Sequence, residues 1–165
     1  MTGTDRRVVA LGRELRDLHD RIRDVLEDAR DGLDPSTGAS ALASDPVTRC
    51  RTFCGVLDTH HRREDDTLFP WLLATRPDLA DVVERLTQDH RAVATLLADL
   101  ARACDDEAAP AVLVRHLEGL DAIMESHFRF EERVLVPVLD ELSPGRPDDD
   151  RPALGPDFWR PSWRG

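Results

Sequence analysis

Apolar residues recur every three to four positions in four long segments of this chain, and strand-like alternation is not evident. The first segment runs from about Val8 to Arg30, with Leu11, Leu15, Leu18, Ile22, Val25 and Leu26 as its stripe. A polar connection containing Gly, Pro and Ser follows, from Gly32 to Ser44. Asp45-Pro46 then reads as an N-cap with proline at the first helical position, opening a second helix that reaches about Leu73. Thr75-Arg76-Pro77-Asp78 forms a tight turn in which Asp78 caps the third helix, from Leu79 to about Cys104 through Val82, Val83, Leu86, Val93, Leu97 and Leu100. A short acidic turn, Asp105 to Pro110, leads into a fourth helix from Ala111 to about Leu142.

Short links between long amphipathic helices imply antiparallel neighbours. The expected fold is all-α: an up-down-up-down four-helix bundle over residues 8–142 with a short irregular C-terminal tail. Pro70 and Pro137 each remove a backbone hydrogen bond, so each is expected to kink or end its helix. Residues 143–165 change character. Pro144 to Asp150 is a solvated Pro/Asp-rich linker, and the aromatic tail Phe158-Trp159-Arg160-Pro161-Ser162-Trp163 either docks on the bundle, docks on a second copy in a homodimer, or stays disordered.

Composition narrows the partners. A chain of 165 residues, 41% hydrophobic, suits one domain with a usable core. Its formal net charge of −11 argues against nucleic acid and anionic membrane as partners, because nothing offsets phosphate repulsion. No apolar stretch is long enough to span a bilayer and no secretory leader is evident, so the expected location is the cytoplasm. Cys50, Cys54 and Cys104 are odd in number and read as small buried hydrophobes rather than a disulfide framework.

The candidate chemistry lies in a pattern that occurs twice. His60-His61-Arg62-Arg63-Glu64 is closed by Leu68-Phe69-Pro70, and His127-Phe128-Arg129-Phe130-Glu131 is closed by Val134-Leu135-Val136-Pro137. A His and a Glu four apart lie on one helix face, about 6 Å apart along the axis. With His60 set at 0°, Phe53 falls at about 20°, Glu64 at about 40°, Leu57 at about 60° and His61 at about 100°, all within the apolar stripe. On the fourth helix, Leu120, Ile123, Met124, Val134 and Val138 flank His127 and Glu131. His90 lies between Leu86, Val93 and Leu97, and His19 between Leu15, Ile22 and Leu26. A lone histidine on an apolar face is usually a hydrogen-bonded core residue. Four helices each placing one there, two with a helically spaced Glu, point to a paired-metal site, since a buried carboxylate needs a compensating charge. His116 shares the face of His127 but sits about 16 Å along the axis and reads as non-ligating.

The order His, His-x-x-x-Glu, His, His-x-x-x-Glu, carried by His19, His60/Glu64, His90 and His127/Glu131, resembles the hemerythrin-like family, also called the HHE cation-binding domain. The flanking Glu64 to Pro70 and Glu131 to Pro137 also look like that family, and the likeness covers about residues 8–142. The resemblance implies two iron ions with an oxo or hydroxo bridge, Glu64 and Glu131 bridging them and imidazoles filling terminal positions. The chain departs from the oxygen-carrying hemerythrins twice. Ala94 stands where they have a second histidine one turn after the third-helix one, and the last carboxylate is Glu131, four residues after its histidine, rather than an aspartate at five. His61 is the candidate replacement for the missing ligand.

Two octahedral irons offer twelve positions, of which two bridging carboxylates and one oxo bridge take half. Five histidines leave one position open, enough for a small diatomic ligand; four leave two, which suits turnover of peroxide or nitric oxide. Asp65 and Glu132, next to the bridging carboxylates, either orient the imidazoles by accepting their second N–H or form an ordinary charged face. The favoured function is a stand-alone non-haem di-iron protein that binds or reduces dioxygen, hydrogen peroxide or nitric oxide, with peroxidase-like or catalase-like turnover in oxidative stress if two positions are free. The alternatives are a non-enzymatic oxygen, redox or iron sensor that signals through a partner contact, and, as a third reading, a zinc hydrolase or transferase.

Overall fold

The first helix, α1 (Leu11–Leu33), shows how the chain is built: Leu15, Leu18, His19, Ile22, Leu26, Ala29 and Leu33 recur at helical spacing and all are buried. A computed structural model describes residues 11–37 and 45–142. The expected start of this helix at Val8, most of the connection to Ser44 and the tail 143–165 lie outside the described residues. α1 runs beyond the expected Arg30, and a single 3₁₀ turn, Pro35–Thr37, follows it.

Asp45 caps α2 (Pro46–Arg63) as expected, its carboxylate accepting the backbone N–H of Thr48 at 3.3 Å. Pro70 does not end this rod. The chain passes through a π-helical turn, Glu64–Leu68, and continues as α3 (Phe69–Thr75). Inside an α-helix the Pro70 ring would meet the carbonyl four residues back. The wider turn, in which the Phe69 N–H reaches the Glu64 carbonyl, removes that conflict just before the proline. A 3₁₀ turn (Pro77–Leu79) leads into α4 (Ala80–Asp105). Asp78 is not its cap, because the carboxylate is held by Arg76 at 2.9 and 2.8 Å. α5 (Pro110–Leu142) continues through Pro137, where Leu135, Val136, Val138 and Leu139 are buried on either side and outweigh the lost hydrogen bond.

Glu107 joins α4 to α5 with a φ of 53°. Its N–H reaches the Cys104 carbonyl and the Ala108 N–H reaches that of Ala103, a left-handed helix stop that normally selects glycine. Glu107→Gly is therefore expected to raise stability by about 0.5–1 kcal/mol, read as a higher denaturation midpoint with an unchanged slope.

Among the described residues all regular structure is helical, in four rods: α1, the α2–α3 rod, α4 and α5. α1 and α4 each pack against α2 and α5. Cross-rod ion pairs join Arg23 to Glu125 and Arg30 to Asp121, and Arg51 to Asp105 and His90 to Asp65, so numbering rises on one rod as it falls on its neighbour. The apolar core is in two parts. One holds Ile22, Leu26, Phe53, Leu57, Val93, Leu100, Leu117 and Phe128; the other holds Leu15, Leu68, Phe69, Leu72, Leu86, Leu135 and Leu139. Seven buried His and Glu side chains form the layer where they meet. Ile123 does not join that layer and is 41% exposed, because the buried arc of α5 runs from His127 towards Leu135 and Phe128, on the opposite side.

All three cysteines are free; Cys50 and Cys104 are buried and Cys54 is half-buried. Burial first, and then the neighbouring Cys104 thiol, push Cys50 up to about 11 and Cys54 to about 12. The thiols stay protonated at neutral pH. Alkylation of Cys50 at pH 8 should be about a hundredfold slower in folded protein than in denaturant, measured by mass spectrometry.

Candidate metal centre

His60 and His61 lie in the last turn of α2, the first against His19 of α1 and the second stacked on His90 of α4. They are 2% and 5% exposed. Glu64 opens the π turn one helical step later and is wholly buried. His19 from α1, His90 from α4, and His127 and Glu131 from α5 complete the layer, all buried. All seven sequence-derived candidates are thus brought together, while His116 lies outside both groups of donors.

Their donor atoms fall into two groups. His61, Glu64, His90 and His127 form one; His19, His60, Glu64 and Glu131 form the other, and within each the atoms lie within 4.8 Å of one another. Glu64 belongs to both. Its Oε1 stands 3.2 Å from His60 Nε2, and its Oε2 stands 3.3 Å from His90 Nε2. Glu131 Oε2 stands 3.3 Å from His19 Nε2 and 3.7 Å from His127 Nε2. Glu64 therefore spans the two groups, one oxygen to each, while Glu131 belongs to the second and its Oε2 also lies towards His127 of the first.

The second nitrogens are held by a ring of acidic residues. His19 Nδ1 pairs with Glu132 at 2.8 Å, His90 Nδ1 with Asp65 at 2.8 Å, and His127 Nδ1 with Asp89 at 3.3 Å. An Nδ1–H donated outward leaves the Nε2 lone pair facing inward, the arrangement that fixes a metal-binding imidazole. Each acid is the chain neighbour of a donor on one rod and serves a histidine on the next: Asp65 serves α4, Asp89 serves α5 and Glu132 serves α1. Asp65 and Glu132 thus act across helices. Asp89 was not among the sequence-derived candidates; its adjacency to His90 was the available signal. Phe128 also went unrecognised. It stacks on His19, with centroids 3.8 Å apart and planes 3° apart, and meets His60 edge-on at 5.8 Å.

The electrostatics are those of a site built for positive charge. Among the described residues, the oxygens of Glu64 and Glu131 and the Nε2 of His61 have no hydrogen-bond partner. His90 Nε2 and His127 Nε2 face each other at 3.1 Å, a hydrogen bond in which one nitrogen donates its proton to the lone pair of the other. Burial and the charge of Glu131 push the Glu64 carboxyl up to about 8. Burial opposes ionisation of Glu131 too, but pairing with His19 and the nearby imidazoles pull it down to about 2. Burial likewise disfavours charge on His19 and His90, yet their carboxylate partners raise them to about 9 and 10. His60 and His61 are held well below the ordinary value by burial and by neighbouring imidazoles. Protons thus stand where cations would compensate the acids, and the all-N/O donor set suits divalent transition metals.

A family model described as the hemerythrin HHE cation-binding domain matches residues 11–149. The chain belongs to that family. No curated protein and no solved structure matches it. Metal binding, typically of iron, is thereby established for the hemerythrin domain as a class, and the buried His/Glu layer is where this member has the donors for it. Among the described residues of this hemerythrin domain, no helix is long and apolar enough to cross a membrane.

Proposed function

We propose that this hemerythrin domain holds two iron ions joined by an oxo or hydroxo bridge and reduces a small oxidant: dioxygen, hydrogen peroxide or nitric oxide. The observation that carries the reading is the placement of Glu64, one oxygen towards His60 and the other towards His90, with Glu131 Oε2 lying between His19 and His127. A single metal ion would not use a wholly buried carboxylate in that way. His19 and His60 would be terminal donors on one side, and His61, His90 and His127 on the other. The opposed numbering of the ion pairs supports an up-down-up-down order of the rods.

When bound, ferrous iron supplies the electrons that reduce the oxidant. The chain's part is to orient and to exclude. Asp65, Asp89 and Glu132 hold the Nδ1–H groups so that Nε2 of His90, His127 and His19 stays turned inward. Phe128 prevents rotation of the His19 ring. The apolar residues above and below the layer, Leu15, Leu57, Leu86 and Leu135 among them, keep bulk water away.

Iron-loaded protein should consume oxygen or peroxide, and His60→Ala, which removes a buried donor, should lose at least about tenfold of that rate in an oxygen-electrode or peroxide assay. An unchanged rate in the variant would refute the reading. Asp89→Ala should weaken iron binding by about 10- to 100-fold, read by competition with a ferrous chelator.

A further inference from the structure

Of the residues around the centre, His61 is held differently. His19, His90 and His127 each have a carboxylate on Nδ1, whereas among the described residues no side-chain carboxylate pairs with His61. Its Nε2 has no hydrogen-bond partner among the described residues. Its described contacts are ring contacts: it stacks on His90 at 4.0 Å and meets His60 and His127 at 5.2 and 5.1 Å. On its outer side lies a cavity of about 180 Å³, walled by Asp58, Arg62, Asp65, Arg91, Ala94 and Leu97 and reaching His61 and His90. Two larger grooves, on the α1–α5 and α4–α5 faces, touch none of the seven donors. The His19 side is closed by Phe128, Ile22 and Leu15, all at most 1% exposed.

We propose that the cavity at Ala94 is the inlet by which a small neutral or monoanionic ligand reaches the centre, with His61 as its gate. The cavity's size admits a molecule of a few heavy atoms, since a water occupies roughly 30 Å³. Its wall carries two arginines and two aspartates, which favour neither strong cations nor polyanions. Ala94 is exposed on α4, and its small side chain leaves the mouth open. An imidazole with no carboxylate anchor turns outward into this space at lower cost than any of the three that are anchored. Resting on the proposed pair of irons, the gate has a chemical consequence. With His61 inward, five imidazoles leave one position free; with it outward, His90 and His127 face His19 and His60 as two pairs, and each side has one free position. A ligand with two donor atoms needs that second state.

The test uses Ala94→Leu, a surface helix substitution of small intrinsic cost that narrows the mouth. In iron-loaded protein, azide association followed by stopped-flow absorbance should be about tenfold slower in Ala94→Leu than in wild type and faster than wild type in His61→Ala. Equal azide rates in Ala94→Leu and wild type would overturn the inlet. A second readout does not depend on iron. In metal-free protein, diethyl pyrocarbonate should label His61 in wild type and label it about tenfold more slowly in Ala94→Leu, with His116, half-buried and remote, labelled equally in both. Equal labelling of His61 would overturn the proposal even if the protein takes up no iron pair, the outcome that would separately refute the proposed function.

Discussion

Glu64→Gln is expected to leave a folded, helical protein that no longer retains a pair of iron ions. The side chain is wholly buried, and its two oxygens serve opposite groups of donors, so one substitution weakens both halves of the centre. The amide keeps the volume and loses the negative charge that two cations require. Metal content after gel filtration should fall from two irons per chain to less than about one, a loss of at least about a hundredfold in affinity for the second ion. The same change should not weaken the metal-free fold. Burial and the charge of Glu131 already push the Glu64 carboxyl up to about 8, so at neutral pH the amide replaces a group that is largely uncharged in the metal-free protein. Unaltered iron content in Glu64→Gln would mean that the carboxylate does not bridge.

Stripping the metal should produce the largest change in stability. A cation that binds the folded chain and not the unfolded one, present at a thousandfold over its dissociation constant, contributes about 4 kcal/mol. At about 2–4 °C per kcal/mol for a chain of this length, the melting temperature should fall by about 10 °C or more on chelation, followed by calorimetry under anaerobic conditions. The double variant Glu64→Leu/Glu131→Leu separates stability from binding. Its melting temperature should be insensitive to chelator, and at least equal to that of the metal-free wild type, because apolar groups of similar size replace buried charges. A wild-type protein whose melting temperature ignores chelation would contradict the view that the layer is stabilised by cations.

The features legible in the chain were those that repeat with the helical period. His19, His60, His90 and His127 each interrupt an apolar stripe, and their burial, with that of Glu64 and Glu131, follows from that phase; their meeting in one layer is set by how the rods align. The N-cap at Asp45 was equally readable because it is local. What escaped depends on contacts between distant segments or on competition between neighbours. The π turn at Glu64–Leu68 is a compromise between Pro70 and helix continuity, and no residue pattern distinguishes it from a kink or a stop. Asp78 has the composition of a cap, but Arg76, two residues away, claims its carboxylate. Asp89 looked like an ordinary polar helix residue until α5 placed His127 against it. Ile123 fits the histidine face on a helical wheel, yet the arc that α5 buries is set by which rods flank it. His61 lay within the apolar arc, so its burial was readable; its lack of a carboxylate partner was not.

Anomalous diffraction from iron-loaded crystals, collected on either side of the iron absorption edge, tests the centre most directly. The expected map has two peaks per chain, one beside His19 and His60, the other beside His61, His90 and His127, with the carboxylates of Glu64 and Glu131 between them. A single peak, or peaks away from this layer, would contradict the account.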